Sequence, residues 1–297
     1  MNERMQVFDR RLVARRRARF AQAFPQAGFL VEEVVARLLD RLGDIQREFR
    51  RVLVLGAPLG LVEEALAGRW GGELLVACDG AAAMLTAPGL RVVADAEALP
   101  FAPDRFDLVL SPMILHWVND LPGTLLQLRQ CLAPDGLLLA GMPGGETLSE
   151  LRQCLTGAEL ECEGGASPRV SPFADVRDAG SLLQRAGFAL PVVDVDRITV
   201  SYGDPLRLLR ELGLMGEGNA LRQRRFGPLR RGTLVRACQL YSELFGDASG
   251  RIPATFDILF MSAWKPHASQ QQPARRGSAS RRLADALRVP AAGDPES

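Results

Sequence analysis

The sequence predicts an α/β fold, a doubly wound sheet of seven strands sandwiched between helices. Three observations carry this reading. The stretches 106–111 and 136–141 are apolar at nearly every position, as strands are when helices cover both faces of a parallel sheet. From residue 51 onward strand-like and helix-like segments alternate, which implies right-handed βαβ crossovers. The first strand ends in the glycine-rich turn Gly56-Ala57-Pro58-Leu59-Gly60, at the edge where such sheets bind ligands.

Residues 1–48 read as an N-terminal helical extension, with Phe29, Val31, Val34, Val35, Leu38, Leu39 and Leu42 at helical spacing within 7–48. The body covers 49–266. Five strands are expected at 51–55, 73–78, 90–93, 106–111 and 136–141. Residues 61–70 read as a helix closed by Gly71-Gly72, and 81–85 start another. A polar loop, a helix and the turn Pro134-Asp135-Gly136 join the fourth and fifth strands. After Arg152 the alternation loosens and helices are inserted; Gly, Ser and Pro mark loops at 163–168 and 171–173. Residues 175–186 read as a helix stopped by Gly187, 192–202 as a strand, 205–214 and 234–245 as helices, and 255–264 as the closing strand. The tail over 267–297 is rich in Gln, Arg, Ser, Ala and Pro and is expected to be disordered.

With 297 residues, one large domain or two small ones fit. A hydrophobic content of 47% and a mean hydropathy of +0.02 match a soluble globular protein. No apolar run approaches the roughly 20 residues that span a bilayer. No targeting segment is read in 1–24, so a bacterial cytoplasmic location is expected. Five scattered cysteines without a CxxC pair, and only two histidines, argue against a metal site. A net charge of +1 gives no field for nucleic acid, and no nucleic-acid partner is expected. The cluster Arg10, Arg11, Arg15, Arg16, Arg17 and Arg19 has one aromatic neighbour, Phe20, and reads as the solvated face of a helix.

A ligand at this edge would meet Gly56 and Gly60, which let backbone N–H groups approach it. Asp79, ending the second strand, is placed to accept from two ribose hydroxyls; the plainer alternative is an exposed turn acid. Asp95 is placed to accept from an adenine amino group beside the Ala96 N–H, or is only a helix cap. Ser111 ends the fourth strand on the same edge. The full dinucleotide fingerprint is lacking, which disfavours a nicotinamide cofactor. His116, beyond the fourth strand, is a candidate base or orienting group, or else a packed structural residue. Glu146, after Gly144-Gly145, is a candidate partner for a guanidinium or a first-turn helix acid, and Glu217 and Asn219 invite the same argument.

The segments Asp95-Ala96-Glu97-Ala98-Leu99-Pro100-Phe101, Phe106-Asp107-Leu108-Val109 and Pro134-Asp135-Gly136 resemble type 11, class I S-adenosylmethionine-dependent methyltransferases, which implies a Rossmann-like fold and that cofactor. A resemblance over nearly the whole chain is to the mitochondrial complex I assembly factor 5 family and its alphaproteobacterial members. It rests on Phe8-Asp9-Arg10, His116-Trp117-Val118-Asn119-Asp120-Leu121-Pro122, Gly144-Gly145-Glu146-Thr147-Leu148, Glu150-Leu151-Arg152, Ser167-Pro168, Ser171-Pro172-Phe173, Met215-Gly216-Glu217 with Asn219, Pro253-Ala254-Thr255 and Arg276-Gly277-Ser278. The resemblance implies hydroxylation of an arginine in the iron–sulfur subunit of complex I, near the quinone site, with possible peripheral contact with the membrane through the assembly intermediate. Two alternatives stand beside it, methyl transfer to a small acid or malonyl-carrier protein, and a non-catalytic assembly chaperone. Val54 and Pro58 stand where the family has an acid and a mid-turn glycine. Each hydrogen bond lost to a charged group is worth about 1.5–3 kcal/mol, so weaker cofactor binding is expected.

Overall fold

The structure is a computed structural model that describes residues 6–67 and 71–271. The expected N-terminal helical run is divided at Gly28 into α1 (Arg10–Ala27) and α2 (Phe29–Gly43). Pro25 lies three residues before the break and supplies no N–H to the preceding turn. Asp9 caps α1, its carboxylate accepting from the Leu12 N–H at 3.0 Å.

One seven-stranded sheet follows, formed by β1 (Arg51–Leu55), β2 (Leu74–Asp79), β3 (Leu90–Val93), β4 (Phe106–Pro112), β5 (Leu132–Pro143), β6 (Ala189–Tyr202) and β7 (Ile252–Trp264). Its order is β3-β2-β1-β4-β5-β7-β6. The first five strands are parallel, and β7 runs antiparallel between β5 and β6. Strand direction leaves no mark in hydrophobic periodicity, so this reversal is not visible in the sequence. The remaining helices are α3 (Leu61–Leu66), α4 (Leu121–Cys131), α5 (Ser149–Glu163), α6 (Val176–Arg185), α7 (Pro205–Leu214) and α8 (Arg231–Phe245). The segment expected to start a helix at 81–85 is a single 3₁₀ turn, Ala82–Met84.

Successive residues of each strand point to opposite faces. Val52, Val54, Leu108, Leu110, Leu137 and Leu139 meet α2, α3, α5, α7 and α8 on one face. Leu53, Leu55, Val109, Leu138 and Ala140 meet α4 and α6 on the other. Burial of each such side chain contributes about 1.5–3 kcal/mol. β1 has β2 on one side and β4, reached by the crossover from β3, on the other, so a crevice opens at the carboxyl ends of β1 and β4. Up to Pro266 the described residues, α1 and α2 among them, make one compact unit. The expected tail lies, from residue 272 on, outside the described residues. Among those described, no helix is long and apolar enough to cross a membrane.

Two features make testable demands. A Cβ on Gly141 of β5 would lie 2.8 Å from Val34 Cγ1 of α2. Gly141→Ala should therefore cost about 1–3 kcal/mol in urea unfolding, whereas Gly43→Ala, with nothing within 4 Å, should be neutral or stabilising. Glu63 is buried in the first turn of α3 with neither carboxylate oxygen hydrogen-bonded, and burial raises its pKa above 4.5. An acid whose folded pKa is raised this way contributes most below its unfolded pKa, and that contribution is lost as pH rises through the raised folded pKa. Glu63→Gln should thus raise the melting temperature more at pH 8 than at pH 4.5; a gain independent of pH would remove this account.

Candidate functional site

The glycine turn keeps the shape a ligand would need at both ends. Gly56 and Gly60 have φ of 77° and 88°, and a Cβ on Gly56 would lie 2.6 Å from Ile114 Cβ. Between them Pro58 offers no N–H. Val54, where the resembled family has an acid, is wholly buried between Ala77 and Leu110.

Asp79 is not an exposed turn acid; it is 1% exposed at the end of β2. Its Oδ1 accepts from the Ala81 N–H at 2.7 Å. Arg17 of α1 fills the rest of its coordination, Nη2 donating to Oδ2 at 2.5 Å and Nε to Oδ1 at 3.3 Å. The same guanidinium reaches the Gly56 carbonyl at 3.4 Å. The neighbouring thiol of Cys78 is pushed up to about 12 by burial and secondarily by Asp79.

Asp95 is half-exposed, but it too already has partners. Its Oδ1 accepts from the Glu97 N–H at 2.8 Å and from Arg10 Nη2, and Arg10 Nη1 donates to Glu97 at 2.7 Å. Ala96 is buried beside it. Ser111 Oγ is fully buried and has no hydrogen-bond partner. These donors and acceptors suit the nucleoside half of an adenosyl group. The space does not: α1 leaves a cavity of about 40 Å³ between Arg10, Val13 and Arg17 on one side and Gly56, Asp79 and Ala96 on the other. Ligand sites of this size class usually enclose roughly 300 Å³ or more.

The arginine cluster is thus not one solvated face. Arg11, Arg15 and Arg19 are exposed at four-residue spacing, while Arg10 and Arg17 point inward with Val13 and Phe20. The apolar residues on that stripe were the available signal.

On the substrate side, the His116 side chain is 2% exposed in the 3₁₀ turn Leu115–Trp117. Its Nε2 lies 3.0 Å from Glu217 Oε2, and its Nδ1 is buried without a partner. It therefore bonds a carboxylate and not a backbone carbonyl. Glu217 is held by a turn after α7, where Gly216 has φ 78° and Arg16 Nη1 donates to the Gly218 carbonyl. Burial, then Arg224, lowers the Arg16 pKa, while Glu217 opposes both. The rings of Trp117 and Phe173 lie 4.9 Å and 6.4 Å from the imidazole. Glu146 is not part of this arrangement; it is exposed, and its charge acts on Arg197 of β6. Asn219 closes the turn, donating to the Pro168 carbonyl at 2.6 Å and accepting from the Leu221 N–H at 3.0 Å. Among the described residues, no three His, Cys, Asp or Glu side chains gather as metal ligands.

Residues 53–140 match the family described as "Methyltransferase domain". Over 293 residues, 96% of this chain and 91% of the relative, the sequence is 41% identical to the mitochondrial arginine-hydroxylase NDUFAF5 of Danio rerio. The human protein of the same name is 42% identical over 93% of this chain and 82% of its own length. A malonyl-[acyl-carrier protein] O-methyltransferase of Halorhodospira halophila is 38% identical over 87% of this chain and 89% of its own. Among solved structures, the Bacillus subtilis protein YcgJ shares the fold with a TM-score of 0.53 at 13% identity, covering 78% of this chain and 98% of that one. The identity over almost the full length of both chains places this protein in the arginine-hydroxylase NDUFAF5 family, built around a methyltransferase domain.

Proposed function

We propose that the protein is an enzyme of the bacterial cytoplasm that hydroxylates an arginine in the iron–sulfur subunit of complex I, near its quinone site, touching the membrane only through the assembly intermediate. The observation that carries this is the buried His116–Glu217 pair at the carboxyl end of β4, beside the glycine turn. With the Nε2 proton donated to Glu217, Nδ1 is left as a free acceptor able to take a proton. The Glu217 carboxylate also suits a guanidinium, which pairs best with a carboxylate in plane. Trp117 and Phe173 wall the imidazole and limit water. Hydroxylation adds one oxygen atom, so the reaction draws on an oxidant that these side chains do not supply.

The cofactor reading is S-adenosylmethionine, which supplies a sulfonium-activated methyl group when bound. Asp79 would face the ribose, Asp95 and the Ala96 N–H the adenine edge, and Gly56, Gly60 and Ser111 the remainder, with affinity lowered by Val54 and Pro58. A second reading is methyl transfer to malonyl-carrier protein, favoured by the 38% identity to an enzyme of that name. Methyl transfer requires mainly alignment, so it would depend less on His116.

Deleting the gene should abolish hydroxylation of the subunit's arginine, read by peptide mass spectrometry, and reduce assembled complex I. Full hydroxylation in the deletion strain overturns the proposal. In complementation, His116→Ala should lower modification by about 100-fold or more, with Glu217→Gln between it and wild type. Labelled methyl appearing on malonyl-carrier protein, undiminished in His116→Ala, would establish the second reading instead.

A further inference from the structure

The acids best suited to hold a nucleoside already have partners, and both partners come from one helix. Arg17 is 11% exposed at the side chain and bonds Asp79, which is fully buried there. Arg10 bonds Asp95 and Glu97. The two arginines stand two helical turns apart, so a single face of α1 presents both. Val13 lies between them and packs into the same core as Leu55, Cys78 and Ile114. An adenosine would need the volume these side chains fill.

Contacts just ahead of α1 and within its first half hold it there. Ahead of the helix, the Phe8 N–H donates to Asn119 Oδ1 at 2.7 Å and the Phe8 ring packs edge-on against Trp117 at 5.3 Å. The Asp9 N–H donates to the Ala220 carbonyl at 2.8 Å. Further along, Arg16 bonds the turn that carries Glu217. One element thus covers the nucleoside acids and touches both segments that present His116 and Glu217.

We propose that α1 is a displaceable occupant of the nucleoside subsite, with Arg17 and Arg10 holding Asp79 and Asp95 in place of an adenosine. Docking of α1 and binding of the cofactor exclude one another, and release of α1 uncovers the His116 side in the same movement. The apparent cofactor affinity is the intrinsic one multiplied by the fraction of molecules with α1 released. This rests on the cofactor reading above.

The test is calorimetric titration with S-adenosylhomocysteine of the full chain, as wild type and as Arg17→Ala, Arg10→Ala and Arg15→Ala. Arg17→Ala should bind at least 10-fold more tightly than wild type, Arg10→Ala several-fold more tightly, and Arg15→Ala, on the exposed face, equally. Because Arg17→Ala strands a buried carboxylate and can fail to fold, hydrogen exchange on the wild type gives a second readout: saturating S-adenosylhomocysteine should speed exchange of the amides of 10–27. Equal or weaker binding by Arg10→Ala, or slower exchange in 10–27 on binding, overturns the displacement and leaves the cofactor reading standing. Equal tightening by Arg15→Ala also overturns it. No binding by wild type or any variant takes down both.

Discussion

A carboxylate buried at the end of a central strand has to be neutralised, and much of the architecture at this edge follows from that demand. Asp79 receives one backbone N–H and one guanidinium. Breaking a buried ion pair by removing one partner typically costs about 3–5 kcal/mol, because the other charge is left unpaired in a low-dielectric setting. The closed arrangement therefore has a strong reason to persist, even though replacing both charges by apolar groups can be neutral. Arg17 is delivered by a helix that precedes the sheet in sequence, so this contact fixes where α1 lies. The position of α1 in turn fixes Phe8 against Trp117 and Arg16 against the turn of Glu217.

The short segments that distinguish this chain from a bare α/β core serve that arrangement. Asp9 caps α1, Arg10 reaches Asp95, and Asn119 holds the Phe8 backbone from both sides. Asp120 caps α4 by accepting from the Gly123 N–H. The segment after Gly145 has a different task. Thr147 Oγ1 donates to the Asp257 carbonyl at 2.9 Å and Glu150 accepts from Thr255, so both brace the antiparallel β7 against the start of α5. Glu150 and Thr147 thus tie strand to helix, whereas Glu217 meets the His116 imidazole and the Arg16 charge.

The sheet was legible because every strand of its centre is apolar on both faces, and α7 starts where Asp204 and Pro205 provide a cap and a first-turn proline. Gly56, Gly60, Asp79, Asp95 and Ser111 do gather at one edge, as the positions of strand ends required. What charge alone could not disclose was direction. Arg10 and Arg17 look like Arg11 and Arg15 in composition, and only the stripe of Val13 and Phe20 separates inward from outward. Nor could the sequence say that Glu217, about a hundred residues away, would meet His116 while Glu146, thirty away, would not. That pairing depends on α7 packing against α1, which no local pattern encodes.

The charge balance at this edge bears on what it can bind once it opens. With α1 docked, Asp79, Asp95, Glu97 and Glu217 face Arg10, Arg16 and Arg17. Withdrawal of α1 would remove three cations and leave these carboxylates, Asp79 the most buried of them, without those guanidinium groups. Such a site favours cationic ligands and penalises anionic ones. A sulfonium cofactor bearing an ammonium group is cationic at its reactive end, and an arginine side chain is cationic at any physiological pH. A malonyl carboxylate would instead meet like charge at Glu217, at a penalty rising as water leaves. The same electrostatics that let arginines of this chain close the site would therefore favour a cationic guest over an anionic one.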